Sequence, residues 1–526
     1  MNTLPTAMDS RSIGIIVDLA TDNSSSTVTQ IASAVTNKWD HSGAVDTQQE
    51  QEQEQKQEDL GAQSNLEEQQ QKTIQEGEVC NGNHPCVVVR LSYSQSDKPP
   101  AMPCSQTFIS EDCIELLFKA KTYLDKNPGF GCEVQVVTSL LMKKFWEAAC
   151  VHLFSPITTW SVWGVDIEDQ AVSLREPMAV GEVQFEVKRY LETVGDPGRV
   201  NVLRSPLIPG HQFNAGFHDR YGGVSQVETM ASMNMLYTIR KADPVLVVEE
   251  NERRLAQAAG FDPSSMHITK AEHDRRIWIV GKEQPDRYDG IVTDQPGVTV
   301  CAAGADCCMI LLADTHTGAV GAVHSGWRGT VVAAVTALLH TMMQEYGTQP
   351  VNIRASIGPS VSARHFLLPA EEAKPITNLD PTLTWPSKDN PHLVHVDLVK
   401  ANAIRLQREG VPEPSIDTSH ALCTFENKQF FSFERDGFPF GNQIGFISRR
   451  FTPIQHAKSQ HLQRCWYNPS SSSSFYQHIE TNVETDGDKN ADEAICVRLP
   501  MTTLANNLRF EGLKEERAGV IKTANA

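Results

Sequence analysis

Apolar residues in this chain recur at the spacings of strands and helices, broken by glycine and proline turns. Ile13–Leu19 (IGIIVDL) is a short continuous apolar run and reads as a buried strand. A compact pattern begins at Cys86. CVVVRLSY (86–93) reads as a strand, and Ser110 caps a helix reaching about Lys126, with Ile114, Leu117 and Phe118 on one face. CEVQVV (132–137) alternates as a strand does, and Ser139 to about His152 reads as helix. WSVWGVDI (160–167) with AVSL (171–174) suggests a hairpin. Val180–Val194 is an amphipathic helix ended near Gly195 and Pro197, and VNVLR (200–204) is a strand.

A second domain starts near Ile208. A helix lies within Asp243–Ala259, and the polar stretch AEHDRRIWIV (271–280) leads His273 into a strand. Residues 288–314 read as turn, strand, turn, strand. In AVHSGWRGT (322–330) an apolar run delivers His324 to a glycine turn suited to an anion, followed by a helix from Thr330 to about Tyr346. IRASIGPSV (353–361) is a strand into a turn, and VHVDLVKANAIRLQREG (394–410) is a strand end and a helix stopped at Gly410. Residues 421–437 read as loop, short apolar strand and turn, and IGFISRRF (444–451) as the last strand. The expected class is α/β with mixed sheets: an N-terminal strand and Gln/Glu-rich region (1–85), a small α/β domain (86–205), a larger mixed-sheet catalytic domain (206–452) and a disordered tail (453–526).

Composition changes this picture in a few places. A chain of 526 residues is long enough for two or three domains, and a net charge of −19 disfavours a nucleic-acid partner. No stretch approaches the roughly 18–20 apolar residues that cross a bilayer. The 13–19 run lacks the flanks of a signal peptide. Twelve cysteines without a CxxC pair suit a reducing compartment, so a cytosolic location is expected. Residues 48–72 are low-complexity Gln/Glu with almost nothing to bury, and read as a disordered or transiently helical insertion. The Ser run and the acidic stretch after about 455 read as tail.

His273, Cys307 and His324 each stand where a strand meets a polar or glycine turn. Two imidazoles and a thiolate make a three-ligand set for catalytic zinc, leaving a fourth position for water or substrate. Their spacings of 34 and 17 residues form no local motif, so a satisfied ring or a buried thiol is the plainer reading of each. The same atoms serve without metal if Cys307 is a nucleophile and His324 or His273 its base, with Asp306 orienting either arrangement. Cys308 points the opposite way, into the core. Arg220 and Arg328 sit beside glycine turns and have the forked geometry for phosphate, although surface charge explains either alone. Trp327 suits base stacking or core packing.

One ordered set of motifs carries a resemblance: DRYGGVS, a His before a strand, YDGIVT, GADC with LLAD, HSGWRG, IGPSV, VDL, and a late CT, FFS, RDG and GNQIGF. Together they closely resemble the YfiH/YlmD-type laccase-domain family over about residues 208–450. The front end, with its join SPLIPG (205–210), is similar to that of vertebrate two-domain members.

The resemblance implies phosphorolysis of inosine, guanosine, adenosine and methylthioadenosine, with phosphate as co-substrate, and deamination of adenosine. It implies zinc at His273, Cys307 and His324, with Asp306 beside them, and Arg220, Arg328, Gly326 and Ser225 around nucleoside and phosphate. It also implies a cytosolic or peroxisome-associated protein; apart from the resemblance, the N-terminal domain and acidic tract are open to a protein partner, as a scaffold would use them. A copper cluster is not expected, because it needs HxH-type histidine pairs and the chain has none. Asp274 replaces a common glycine, Met309 a usual proline, and GNQ (441–443) a common GRQ, which bears on substrate preference and phosphate geometry more than on metal. A cysteine hydrolase or amidase built on Cys307, or a non-enzymatic scaffold, stays open beside this reading.

Overall fold

The computed structural model describes residues 12–16, 88–92, 105–110, 112–126, 133–140, 142–154, 158–165, 179–237 and 243–451. The Gln/Glu tract, residues 171–174 and the tail from 453 lie outside the described residues.

The first sheet has five strands, ordered Ser105–Ile109, Val88–Ser92, Ser12–Ile16, Glu133–Ser139 and Trp160–Val165, all parallel. The first strand of the chain therefore lies at the centre of this sheet. Parallel neighbours need crossovers, and the helices Cys113–Lys126 and Lys143–Leu153 provide two of them. This is why Trp160–Val165 runs parallel to Glu133–Ser139 and does not begin with a tight turn. The Asp112 carboxylate accepts the N–H groups of Ile114 and Glu115 at the start of the first helix, inside the expected Ser110 boundary. The second helix starts at Lys143, later than its expected Ser139. Leu117, Trp146 and Val187 share one core with Val134, Val136, Leu246 and Val247.

The next two sheets pack face to face. One has six strands, ordered Ile416–Asp417, Ile353–Ile357, Cys308–Asp314, Val320–Ser325, Gly290–Thr293 and Ile277–Ile279. The other has five, ordered Val202–Leu203, Phe213–His218, Gln443–Arg449, Thr299–Gly304 and Met266–Ile268. Side chains alternate across the strand Cys308–Asp314: Met309, Leu311 and Ala313 face the second sheet, with Phe217, Val300 and Ile447, while Cys308, Ile310 and Leu312 pack with Leu338 and Met342 of the helix Ala334–Tyr346. Both faces of the sheet are covered, which explains its continuous apolar sequence.

Several elements depart from the sequence reading. Val202–Leu203 pairs antiparallel with Phe213–His218, so it joins the second sheet and not the N-terminal one. The helix expected from Thr330 is two pieces, Trp327–Val331 and Ala334–Tyr346, separated by Ala333 at φ 61°. Residues 430–433 form no strand: Phe430 and Phe431 are buried from a loop that ends in the short helix Phe433–Asp436. The helix Leu398–Arg408 is capped by Asp397 and stops before Gly410 at φ 95°, as its sequence predicts.

Arg254, on the helix Val245–Ala259, joins that helix to the end of the helix Val180–Thr193 and to the turn at Gly222. It is buried, donates to the carbonyls of Leu191, Val194 and Gly222, and pairs with Glu250 at 2.6 Å. Among the described residues no helix is long and apolar enough to cross a membrane.

Candidate metal centre

Strand pairing brings the three proposed ligands together. Met309 lies opposite His324 and Cys308 opposite Ser325, so the chain leaving these two strands sets Cys307 beside Gly326. His273 arrives from the turn before Ile277–Ile279, on the parallel neighbour of Gly290–Thr293. One donor atom from each of His273, Cys307 and His324 lies within 4.8 Å of the others. The two rings are edge to face, with centroids 4.8 Å apart. His324 is buried, Cys307 is half-buried and His273 is exposed, so the set opens to solvent on one side.

Asp289 holds this arrangement. Its carboxylate accepts the N–H groups of Glu272, His273 and Asp274 at 3.0–3.1 Å, and sits 2.9 Å from Nδ1 of His324. One buried side chain thus fixes the turn carrying His273, held at φ 61°, and the ring of His324. Burial alone would raise the Asp289 carboxyl, but hydrogen bonds from His324 and the turn amides hold it below the ordinary carboxylate value. With Nδ1 of His324 facing Asp289, Nε2 is left for the thiol side. A carboxylate behind a ligating imidazole is the usual outer partner of such a ligand.

Cys307 and His324 form a coupled pair. Burial works against ionising the thiol, but the His324 charge and hydrogen bonds with His273 and His324 bring it down to about 6. Burial also disfavours imidazolium, yet Cys307 and Asp289 raise His324 to about 10. Cys308, one residue on, sits in the apolar core, and its thiol is pushed up to about 12. Gly326 is the wall of the centre: a Cβ there would stand 2.7 Å from Sγ of Cys307 and 3.0 Å from Nδ1 of His273.

The other candidate residues have varied surroundings. Asp306, at φ 94°, is buried; it accepts from Oγ1 of Thr424 at 2.5 Å and from the N–H of Glu434 at 2.7 Å. Burial raises its carboxyl in spite of these donors. Arg220 donates to the carbonyls of Ala231 and Glu228 and stacks over Phe431. Ser225 is buried and donates to Asp243 while accepting from Asn251, which ties its loop to the helix Val245–Ala259. Arg328 is exposed, lies over Trp327, and makes no ion pair with a carboxylate among the described residues. Sequence reasoning does not single out Asp289. Its only signal is an acidic residue at the head of the apolar run in YDGIVT.

The donor chemistry fits a zinc-like ion. Bond lengths of about 2.0–2.3 Å in a tetrahedral site put donors about 3.5 Å apart, within reach of small side-chain adjustments here. Packed mixed sheets with a His–Cys–His donor set at their strand ends define the class of fold and candidate site. Residues 214–450, which include all three donors, match the family described as multi-copper polyphenol oxidoreductase laccase, and the chain belongs to this YfiH-type family. It is 41% identical over 274 residues to purine nucleoside phosphorylase LACC1 of Mus musculus, covering 51% of this chain and 63% of that protein. It is 30% identical over 242 residues to a purine nucleoside phosphorylase of Bacteroides thetaiotaomicron, covering 43% of this chain and 88% of that protein. The solved structure of YlmD from Geobacillus stearothermophilus matches at 27% identity and a TM-score of 0.43, over 47% of this chain and 94% of that one. This chain thus spans under two thirds of the mouse relative it matches.

Proposed function

We propose that this protein is a zinc-dependent purine nucleoside phosphorylase that also deaminates adenosine. The reading is carried by the activity named for the Bacteroides relative, 88% of which aligns with this chain. Inosine, guanosine, adenosine and methylthioadenosine are the proposed substrates. In phosphorolysis a phosphate oxygen bonds to C1′ of the sugar as the C1′–N9 bond breaks, and the departing purine nitrogen takes a proton. His273, Cys307 and His324 would hold the metal, which when bound supplies Lewis-acid polarisation and an acidified water.

The chain's own residues have separable tasks. Asp289 orients His324, and Gly326 leaves room beside Cys307 and His273. Arg328 is the freer of the two candidate phosphate cations, since Arg220 is engaged by backbone carbonyls. The His273, Cys307 and His324 donors make one three-ligand set, and the chain has no HxH pair of the kind a copper cluster uses.

The deciding assay is inosine with and without phosphate. Hypoxanthine release that requires phosphate, with a sugar phosphate as co-product, is the expected result. Equal release without phosphate would overturn phosphorolysis. Adenosine should yield inosine and ammonia by the second activity.

The thiol–imidazole pair gives a second reading, a hydrolase with Cys307 as nucleophile. Chelation separates the two: a Cys307-dependent hydrolase survives metal removal and is lost on thiol alkylation.

A further inference from the structure

A second group of soft and borderline donors lies outside the centre described above. Donor atoms of His365, Cys423 and Glu426 all fall within 4.8 Å of one another. They come from two loops stitched together by backbone hydrogen bonds: Ser360 N–H to Leu422, and Thr424 N–H to Ser360, with a parallel bridge between Ser360 and Cys423. Each donor is oriented. The His365 ring stacks on Phe425 with centroids 4.6 Å apart, and its Nε2 is 2.7 Å from Oε1 of Glu426. The Cys423 sulfur accepts the Ser362 N–H at 3.4 Å.

We propose that His365, Cys423 and Glu426 form a second binding site for a zinc-class divalent ion. The chemistry follows from the donor set: one thiolate, one imidazole and one carboxylate suit zinc, cobalt(II) or cadmium, and disfavour magnesium or calcium, which select oxygen. Metal entry breaks the His365–Glu426 hydrogen bond, leaves the single ring proton of His365 on the nitrogen that does not ligate, releases the Cys423 thiol proton to solvent, and puts the imidazole, thiolate and carboxylate on the ion. His365 and Cys423 are half-buried and Glu426 is exposed, so a fourth position stays open to water. Arg364, 3.6 Å from Glu426, competes for the carboxylate.

The position of this site gives it a consequence. Thr424 follows Cys423 and donates to Asp306, the neighbour of Cys307, and the Val361 N–H bonds to the Asp306 carbonyl. An ion bridging the two loops would fasten both sides of the Asp306 turn.

Cobalt(II) tests this on the full chain stripped of metal. Titration of wild type should show two equivalents producing thiolate-to-cobalt charge-transfer absorption. Cys307→Ala should keep one, and Cys307→Ala with Cys423→Ala none. His365→Gln and Glu426→Gln, made in the Cys307→Ala background, change half-buried or exposed positions, and each should weaken the remaining equivalent by tenfold or more. Loss of every thiolate band in a folded Cys307→Ala protein overturns the proposal. So does a band that persists unchanged through His365→Gln and Cys423→Ala. If Cys307→Ala does not fold, Cys423→Ala in the wild-type background must lower the thiolate-band count from two to one, and His365→Gln and Glu426→Gln must each weaken one of the two equivalents by tenfold or more. An unchanged count there also overturns the proposal.

Discussion

His218 is a buried base that the fold keeps neutral. Its Nδ1 donates to the Asp219 carbonyl, and its Nε2 accepts the Ile444 N–H at 3.0 Å, so both nitrogens are committed to one tautomer. Burial pushes it from 6.5 to about 4, outweighing the pull of the Asp219 carbonyl. Between these values the unfolded chain takes a proton that the folded chain refuses. The associated stability is present above about 6.5 and lost as pH falls to about 4, and amounts to roughly 3 kcal/mol. Urea midpoints measured across that window should fall with acidity, and His218→Gln should flatten the slope.

Asp289 is the second residue whose surroundings set a measurable outcome. Asp289→Asn puts an amide where four N–H groups converge, so it should lower zinc affinity by about 10–100-fold in a chelator competition. Unchanged affinity would detach His324 from metal binding.

At the scale of elements, Phe217 locks the two mixed sheets together. A Cβ on Gly358 would stand 2.4 Å from its ring, and one on Gly445 2.5 Å. Gly358→Ala should cost about 1–3 kcal/mol in chemical denaturation, with part of the loss recovered when Phe217→Leu is added. The glycine in IGPSV is thus explained by packing.

Such long-range closeness also marks what the sequence can disclose. The strand–turn–helix at HSGWRG, the stop at Gly410 and the last strand are legible because their signals are local: periodicity, a cap, a glycine. The break at Ala333 is not, since Val331, Val332 and Ala333 are an uninterrupted apolar run with no glycine or proline to mark it. Val202–Leu203 is recognisable as a strand, but its partner is not, because two edge residues carry no register. The three centre residues are legible as a set through the ordered motifs, whereas their spacing alone is silent. Asp289 escapes because its role depends on two segments meeting across the sheet. The neighbourhood of Ser225 is hidden for the same reason, since its partners Asp243 and Asn251 lie 18 and 26 residues away.

For the whole molecule, the placement of Ser12–Ile16 matters most. It lies between Val88–Ser92 and Glu133–Ser139, so the chain leaves the sheet's centre, passes through residues 17–87 and returns to pair beside it. Deleting residues 48–72 shortens that connection without touching either anchor. Loop-closure entropy varies slowly with length, so stability should change by less than about 0.5 kcal/mol, read from denaturant midpoints. Removing residues 1–16 should instead leave the sheet's two halves without their shared partner, and a broadened or lost transition for that layer is the expected result.

A further property comes with a first strand that is also a middle strand. Covalent continuity through residues 17–87 is not what joins the amino-terminal piece to the rest; backbone pairing along both of its edges, with Val88–Ser92 on one side and Glu133–Ser139 on the other, does that. A protein cut once inside the Gln/Glu tract by an inserted protease site should therefore behave as a complemented pair. Its short fragment would stay seated through gel filtration and dissociate only with denaturation of the sheet, after which the long fragment alone would refold poorly until the short one was returned. The chain's opening residues thus act as an internal keystone that could be supplied in trans.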